Sequence, residues 1–577
     1  MAPFCFAQLV RCLCLELVLS ESDRSHERGF CGVGAFLSHV KRTLFFKAVF
    51  TLWIPAFICW LFLLDWMVCK VWWVILVWIS FSAVVAMFWV VFLWISALAT
   101  VRLRLPQPIV TSVAWCGLDW VRKNYAVGGF PFSSLEHSQY RNLIVIQIAD
   151  VFGEGGLGFM MFFVGTCFAE ACMGKTTRDG VRRKWTSDAC WRASHCVAAT
   201  LLVISVFAYG SHRTQFASLE RPDDLNTCRI GLLQGSTLFC GLLEAPDVER
   251  AFEECKSLSV KHGQDCDLVV WPESVCSYNW SALEKGFIPP SWQNQSSKNI
   301  ETAVAATELV LALPFVELAR ASKSPLLLCV PVRDYTNENK RGKSMETNSI
   351  IFVDPEKGIQ PTRYNKMKLV PFAECDAASV VLGRDVFVSS RFTPGTEPTA
   401  FVIHQKEVAP DGQRTHSFGN SIPFIATVNI CYDSMFSRVI SQQIAILRDR
   451  GCEPDMIINS SNDADSSRRS LINMHLAAHV FRAVENRKPT LISSNSGNSA
   501  WIDCCGRLIR EGKAGDSDCI VATIARTHNW GLYRYVGDTF PICCTWVTFA
   551  VMLVLMIRGL DCTTVHVNSI DVKGEEH

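Results

Sequence analysis

The stretch Pro423-Phe-Ile-Ala-Thr-Val-Asn-Ile-Cys431-Tyr-Asp-Ser-Met-Phe436 predicts a strand, a cysteine and the start of a helix in direct succession. Residues 423–430 are rich in Ile, Val, Thr and Phe, which is typical of a buried strand, and residues 437–447 change to helical spacing. A cysteine at such a junction lies close to a helix N-terminus, whose partial positive charge favours thiolate over thiol. A cysteine taken alone is more often a small buried apolar residue.

Two further stretches favour a nucleophile at Cys431. In Leu268-Val-Val-Trp-Pro-Glu273 an apolar strand ends in a Trp-Pro pair, which fixes the backbone and presents one carboxylate. The segment Arg363-Tyr-Asn-Lys366-Met-Lys-Leu-Val-Pro-Phe-Ala-Glu374 carries a lysine and a second glutamate. Each of these charges alone is more often solvated at the surface. A glutamate, a lysine and a cysteine in this order, each at the end of a strand, predict one site.

The composition indicates a protein that lies partly in lipid. At 577 residues the chain is too long for one ordinary core, so two or more structural units are expected. Half of the residues are hydrophobic, 18 are tryptophan, and the mean hydropathy is +0.21. The net charge of +1 gives no overall field for nucleic acid, and the chain contains no basic stripe and no RNA-binding signature.

The 26 cysteines do not form a recognisable metal motif. Three close pairs occur, but none has C-x-x-C spacing matched by a second such pair or by histidine. We therefore expect no structural zinc site and no cofactor, and the sequence leaves the disulfide connectivity open. The close pairs are Cys12 and Cys14, Cys504 and Cys505, and Cys543 and Cys544.

Six apolar segments are predicted to enter a bilayer. The third is the weakest of them, because it is short and carries Asp119. The first five fall in a transmembrane region, 44–210, that follows an N-terminal segment, 1–43, in which no signal peptide is evident, and the sixth is a separate C-terminal transmembrane helix. The predicted spans are 44–65, 71–99, 107–121, 142–169, 195–210 and 541–558.

Basic residues predict the orientation of these spans. If the six alternate, three basic clusters fall on one side, which the positive-inside rule makes cytoplasmic. Residues 211–540 then form a catalytic domain on the non-cytoplasmic side, 541–558 returns the chain, and the tail 559–577 lies inside. The clusters are Arg24, Arg28, Lys41 and Arg42; Arg102 and Arg104; and Lys175, Arg178, Arg182, Arg183, Lys184 and Arg192.

The ordered Glu-Lys-Cys set resembles the active site of the nitrilase, or carbon–nitrogen hydrolase, superfamily. Within it, residues 364–374 (YNKMKLVPFAE) resemble the Y-x-K-x-x-L-V-P-F-G-E segment of apolipoprotein N-acyltransferases. Residues 115–132, with Trp-Cys-Gly-Leu-Asp-Trp-Val-Arg and Gly-Gly-Phe-Pro-Phe, are similar to the W-x-x-x-E-W-x-R and G-F-P-W signatures of that family. Residues 147–159 resemble its Q-x-A-D-x-x-G-x-x-G-x-x-F, although small residues in helices also permit ordinary close packing.

This resemblance implies an α/β fold, a nitrilase-like αββα four-layer sandwich inserted in a multi-pass transmembrane helix region. It covers about 107–558 and leaves 1–43 unexplained. The Glu, Lys and Cys residues match the family pattern. Four other positions depart from it, and the resemblance associates these positions with recognition of the acceptor substrate or with loops. They are Lys368 in place of His, Ala373 in place of Gly, Asp433 in place of Glu, and Asp465 in place of an aromatic residue.

The resemblance also implies roles at the site. Cys431 is the nucleophile, Glu273 the general acid and base, and Lys366 the charge beside the oxyanion, joined by the backbone N–H of Tyr432. The carboxylate and the ammonium are expected to favour the thiolate. Three supporting residues follow from the family motifs: Glu374, which orients the triad or substrate, and Tyr432 and Asp433, which match C-Y-E.

The implied function is a membrane N-acyltransferase. A phospholipid acyl chain passes to Cys431 as a thioester and then to the amine of an N-terminal, lipid-modified cysteine of a lipoprotein. One alternative is a membrane-tethered amidase or nitrilase that uses the same triad with water, and another is a non-catalytic membrane scaffold. The kind of membrane stays open, since the sequons Asn279-Trp-Ser281 and Asn294-Gln-Ser296 fit a eukaryotic secretory membrane.

Overall fold

A computed structural model provides the structure of the protein. It describes residues 49–68, 72–172, 185–219, 227–236, 245–276, 280–283, 312–335, 345–371, 374–375, 392–408, 414–418, 422–463, 469–526 and 529–568. The predicted segment 1–43, most of the basic clusters before residue 49 and after residue 172, the second sequon, Ala373 and Asp465 lie outside the described residues.

The chain forms two compact units. The first contains Met1–Lys123, Gly155–Phe207 and Thr539–His577, and the second contains Asn124–Glu154 and Ala208–Asp538. The second unit thus includes most of the predicted catalytic domain, 211–540. It also includes Asn124–Glu154, which the sequence pattern places in the transmembrane region, 44–210.

The described part of the first unit consists of helices. The second unit has helices of its own, which pack against its sheets. In chain order the helices of both units are α1 Val49–Leu63, α2 Trp72–Arg102, α3 Gln107–Tyr125, α4 Leu143–Ile146, α5 Ala149–Cys172, α6 Trp185–Leu219, α7 Ala245–His262, α8 312–322, α9 Ser437–Asp449, α10 Arg469–Asn486, α11 Tyr533–Val536 and α12 Thr539–Asn568.

Within the described residues, four helices are long and apolar enough to cross a membrane: Ile75–Arg102, Ala149–Cys172, Ala193–Gln215 and Thr539–Ile557. They coincide with the second, fourth, fifth and sixth predicted spans. The first predicted span corresponds to α1, whose described part, Val49–Leu63, is apolar but shorter than a membrane span, and the third corresponds to α3. In α3, Asp119 is buried and forms ion pairs of 2.7 Å with Arg122 and 2.8 Å with Lys123, so this helix is more polar than the four long apolar helices.

The helix that corresponds to the fourth predicted span, 142–169, begins at Ala149, later than the sequence pattern indicates. A separate short helix, α4, precedes α5, and the first turn of α5 is interrupted at Gly153, where φ is +66°. A side chain at this position would meet the ring of Tyr533 at 2.5 Å. Glycine is therefore required here both by the left-handed backbone and by the close approach of the ring.

The second unit contains the strands. In chain order they are β1 Thr227–Gln234, β2 Leu268–Val270, β3 Trp280–Leu283, β4 Leu326–Tyr335, β5 Met345–Asp354, β6 Gly358–Asn365, β7 Ala400–Ile403, β8 Lys406–Val408, β9 Arg414–Phe418, β10 Phe424–Ile430, β11 Met456–Asn462, β12 Thr490–Asn495, β13 Ala500–Ile502, β14 Leu508–Glu511 and β15 Asp518–Ala525.

These strands form two large mixed sheets and one small one. The first has the order β15-β1-β2-β4-β5-β6, with β3 also paired to β4, and the second has the order β14-β13-β12-β11-β10-β7. In the second sheet β10, β11 and β12 run parallel, so that Ile430 pairs with Ser460 and Ser460 with Ser493. The strands β8 and β9 pair separately.

The main core lies between the two large sheets. It joins inward-facing residues of β1, β2, β4 and β5 to those of β10, β11 and β12, all fully or nearly fully buried. On its other face the first sheet packs against α7 and α8 through Cys255 and Phe315. The second sheet packs against α9 through Ile440, Ile444 and Ile457. The predicted four-layer αββα sandwich is confirmed.

Candidate active site

Cys431 lies where the sequence pattern predicts, directly after β10. It begins a short 3₁₀ turn, Cys431–Met435, and α9 follows at Ser437. Its backbone has a φ of +47°, in the left-handed region that few residues other than glycine adopt. Strained backbone of this kind at a candidate nucleophile is consistent with a functional site. The backbone N–H of Asn462, at the end of β11, donates a hydrogen bond to the Cys431 sulfur.

Asp433 joins the cysteine turn to the lysine segment. Its Oδ1 accepts hydrogen bonds from the backbone N–H groups of Met367 (3.1 Å) and Lys368 (2.6 Å). Its Oδ2 accepts from the Tyr364 hydroxyl (2.8 Å) and the backbone N–H of Ile430 (3.2 Å). Burial raises the pKa of Asp433 to about 6, although Lys366 and these donors oppose the rise. Although the Asp433 side chain is shorter than the family's glutamate, its carboxylate reaches all four donors.

Lys366, Glu273 and Glu374 converge on one buried point. The Lys366 ammonium is 3.0 Å from Oε1 of Glu273 and 2.9 Å from Oε1 of Glu374, and its side chain is only 1% exposed. The side-chain amide of Asn348 donates to the same two oxygens, at 2.8 Å and 3.2 Å. The second oxygen of Glu374 accepts from the backbone N–H of Val370 at 2.8 Å. One cation and one neutral donor therefore bridge both carboxylates.

The charges of this cluster determine which groups carry protons. Burial raises the pKa of Glu273, and the Lys366 ammonium opposes that rise. Burial disfavours the charge of Lys366, but Glu273 and Glu374 outweigh it and raise the pKa well above its ordinary value. Lys366 is thus a fixed positive charge near neutral pH.

The surroundings of Cys431 disfavour the expected thiolate. Burial, followed by the charge of Glu273, raises the pKa of the Cys431 thiol well above its ordinary value, although Lys366 lowers it. The helix N-terminus and the ammonium do not overcome desolvation at a residue that is only 8% exposed. The resting site therefore holds a thiol, which needs a base to attack.

Tyr432 packs against the segment Asn124–Glu154 of the same unit. Its hydroxyl donates to the carbonyl oxygen of Gly129 at 2.9 Å, and its ring stacks on Phe132 at 5.6 Å between centroids. Phe132 also stacks on His475 at 6.0 Å. The Gly-Phe-Pro-Phe stretch, singled out in the sequence, thus contacts the residue that follows Cys431. An oxyanion role for the Tyr432 backbone N–H remains a prediction.

Two buried arginines hold this segment in place. Arg487 donates to Asp150 at 2.9 Å and to Gln147 at 2.6 Å. Arg482 forms ion pairs with Glu154 (2.6 Å) and Glu485 (2.9 Å). The Gln147-Ile-Ala-Asp150 motif therefore forms buried hydrogen bonds and ion pairs within the second unit. Removing one partner from a buried pair of this kind typically costs about 3–5 kcal/mol.

Three polar residues around the site escaped the sequence analysis. Asn348 lies in a stretch that indicates only a strand, and nothing in the stretch marks its amide as a partner of Glu273. The other two are Asp463 and His475, which are 2.6 Å apart and buried. The Asp463 charge acts on the Cys431 thiol. The only signal was the nearby Asp465, which departs from the family pattern two residues after Asp463.

The described residues contain no group of three or more His, Cys, Asp or Glu side chains able to hold a metal ion. The described cysteines, including the neighbours Cys504 and Cys505, are free thiols.

Residues 229–533 match the carbon-nitrogen hydrolase family, and residues 29–167 match the apolipoprotein N-acyltransferase N-terminal domain. The chain belongs to the carbon-nitrogen hydrolase family. The first match covers the strands and helices that carry Glu273, Lys366 and Cys431, and more than half of the chain.

Curated relatives point to one branch of this family. Apolipoprotein N-acyltransferase 1 of Treponema denticola is 24% identical over 474 residues, which are 78% of this chain and 77% of the relative. Apolipoprotein N-acyltransferases of Geobacter metallireducens (23% identical, 74% of this chain and 70% of the relative) and Rhodopirellula baltica (24%, 76% and 75%) are also similar. The enzyme is an N-acyltransferase of the apolipoprotein N-acyltransferase type and an integral membrane protein.

Among solved structures, an amidase of the nitrilase superfamily from Nesterenkonia is similar, with 14% sequence identity and a TM-score of 0.33. The similarity covers 53% of this chain and 94% of the amidase chain.

Proposed function

We propose that this enzyme transfers a fatty acyl chain from a phospholipid, through a thioester on Cys431, to the N-terminal amine of a lipoprotein. The observation that carries the proposal is the buried Lys366 ammonium, 3.0 Å from Glu273 and 2.9 Å from Glu374, next to a strained cysteine. In this proposal Glu273, Lys366 and Cys431 are catalytic, and Glu374, Tyr432 and Asp433 support them.

In the first half-reaction Glu273 takes the proton of the Cys431 thiol as the sulfur attacks the ester carbonyl carbon of the donor. The carbonyl oxygen becomes an oxyanion that the Lys366 ammonium stabilises. The tetrahedral adduct then expels the lysophospholipid alkoxide, which takes the proton back from Glu273. The raised pKa of Glu273 suits this exchange, because the group must both accept and return a proton.

In the second half-reaction an amine attacks the thioester carbon. Glu273 accepts a proton from the attacking nitrogen and returns it to the departing sulfur, so that an amide forms and the thiol is restored. Asn348 and Glu374 keep Lys366 and Glu273 together during both steps. A hydrolase would use the same groups with water in place of the amine, so the acceptor decides between the two functions.

A labelled acyl chain tests whether the acceptor is an amine or water. Purified enzyme is given phospholipid with a labelled acyl chain, with or without a peptide that begins with diacylglyceryl-cysteine. We expect label on the peptide amine, and little free fatty acid without peptide, because a site that excludes water protects the thioester. Rapid release of free fatty acid that the peptide does not change would identify a hydrolase instead.

We further propose that the catalytic domain faces away from the cytoplasm. The basic residues Arg102 and Arg104 directly follow the apolar part of α2, and all of the larger cluster except Arg192 falls between α5 and α6 in the sequence. Reporter fusions at Arg182 and Asp223 are expected to report opposite sides of the membrane. Reporters on one side at both positions would show that the number of spans between them is wrong.

A further inference from the structure

Within the part of the chain that the structure describes, two cationic side chains near the cysteine turn have no acidic partner. Lys368 lies two residues after Lys366, and its ammonium is 5.2 Å from the centre of the Phe436 ring. Arg438 lies in the first turn of α9 and donates to the Tyr125 hydroxyl at 3.0 Å. Throughout the described ranges, neither forms an ion pair with a carboxylate. By contrast, Arg450 of the same unit forms an ion pair with Glu397 at 2.6 Å.

Both cations are attached to the elements that carry the nucleophile. The backbone N–H of Lys368 donates to Asp433, two residues after Cys431. The Phe436 ring, over which the Lys368 ammonium lies, packs edge-on against Tyr432 at 5.0 Å between centroids. Arg438 follows on the same turn-and-helix stretch. A ligand bound by these two side chains would therefore lie close to the sulfur.

The positions of the Lys368 and Arg438 side chains are electrostatically unfavourable when no anion is bound to them. Burial lowers the pKa of Lys368, the Asp433 carboxylate opposes this, and the like charge of Arg438 lowers the pKa further. Two positive groups that repel each other in a partly desolvated place gain most from a doubly accepting anion such as a phosphate. Arginine binds phosphate through several parallel N–H donors, and lysine binds it as a point charge.

We propose that Lys368 and Arg438 bind the phosphate of the phospholipid donor and select a phosphate-bearing acyl donor. This inference rests on the proposed function, since the donor is defined there. In a glycerophospholipid a short glycerol backbone separates the phosphate from the acyl ester, which suits a phosphate site on the same turn as the nucleophile. Lysine at position 368, where the family pattern has histidine, supplies the more basic side chain for this purpose.

Binding is measured first, in the Cys431→Ser background, so that the result does not depend on turnover. The probes are a short-chain phosphatidylethanolamine, the diacylglycerol with the same acyl chains, and inorganic phosphate. Lys368→Gln and Arg438→Gln are each expected to weaken phospholipid binding by roughly 10- to 100-fold, the usual contribution of a charged hydrogen bond. Diacylglycerol binding is expected to stay unchanged. Lys368→Arg should restore most of the affinity, and Arg450→Gln is the matched control.

Kinetics with intact Cys431 provide the second readout. The same variants are expected to raise KM for phospholipid while the rate with a phosphate-free thioester donor stays the same. Equal losses with both donors, or no loss of phospholipid binding, would overturn the proposal. So would inorganic phosphate that binds as tightly as the lipid, because the site would then be a general anion site. A wild-type enzyme that binds phospholipid through these residues but never acylates Cys431 would instead refute the proposed function.

Discussion

Replacement of Cys431 by serine is expected to abolish acyl transfer and leave the protein folded. A hydroxyl is a much weaker nucleophile than a thiol at this position, and the Glu273 carboxylate is not a base matched to it. Loss of the nucleophile from a catalytic triad typically lowers kcat on the order of a million-fold. The measurement is the single-turnover release of lysophospholipid, with thermal unfolding as the check on folding.

The matched control is Cys329→Ser. Cys329 is a second buried thiol of the same domain, 3.3 Å from the Asn348 side chain, and the Glu273 and Lys366 charges also act on it. Serine keeps the donor to Asn348, so we expect near-normal turnover. Full activity in Cys431→Ser, or an equal loss in Cys329→Ser, would contradict Cys431 as the nucleophile.

Replacement of Lys366 by alanine is expected to have the next largest effect. Loss of one oxyanion donor typically costs about 100- to 1,000-fold in kcat. The change also leaves two buried carboxylates without their cation, and breaking such a pair typically destabilises a protein by about 3–5 kcal/mol. Both effects are measurable in detergent, the first by single-turnover kinetics and the second by denaturant unfolding.

The pH profile separates these two effects. Burial raises the pKa of Glu273, and Lys366 opposes the rise. Without the ammonium, the pKa of Glu273 rises further, so the base form appears only at higher pH and the acid limb of the rate moves to higher pH. Lys406→Ala is the control, since Lys406 is also buried but donates to the carbonyl oxygen of Gly263 (3.0 Å). It should lower stability without moving the acid limb, and an unmoved limb in Lys366→Ala would contradict its pairing with Glu273.

Features that depend on local sequence were predictable. A β-branched run before Cys431 and helical spacing after it are properties of neighbouring residues, and the structure has β10 and α9 at these positions. The same holds for Glu273, which follows a short apolar strand. The fold class was predictable because strands and helices alternate along residues 227–526 and because the family motifs occur in the same order along the chain.

Features that depend on distant residues were not predictable from one sequence. Asp150 and Arg487 are 337 residues apart, and only the fold shows that they pair. The residues next to Asn348 in the sequence give no signal that distinguishes its amide from any other polar group on a strand. The protonation state of Cys431 also required the structure, because desolvation depends on what surrounds the thiol and outweighs the nearby ammonium.

The central claim, that Cys431 carries the acyl chain, is tested most directly by mass spectrometry of the enzyme after incubation with phospholipid alone. We expect the peptide containing Cys431 to gain the mass of one acyl chain, to lose it on treatment with neutral hydroxylamine, and to lose it when a diacylglyceryl-cysteine peptide is added. The Cys431→Ser enzyme should show no such adduct. An unmodified Cys431 peptide in an enzyme that still transfers acyl chains to the acceptor would contradict the claim.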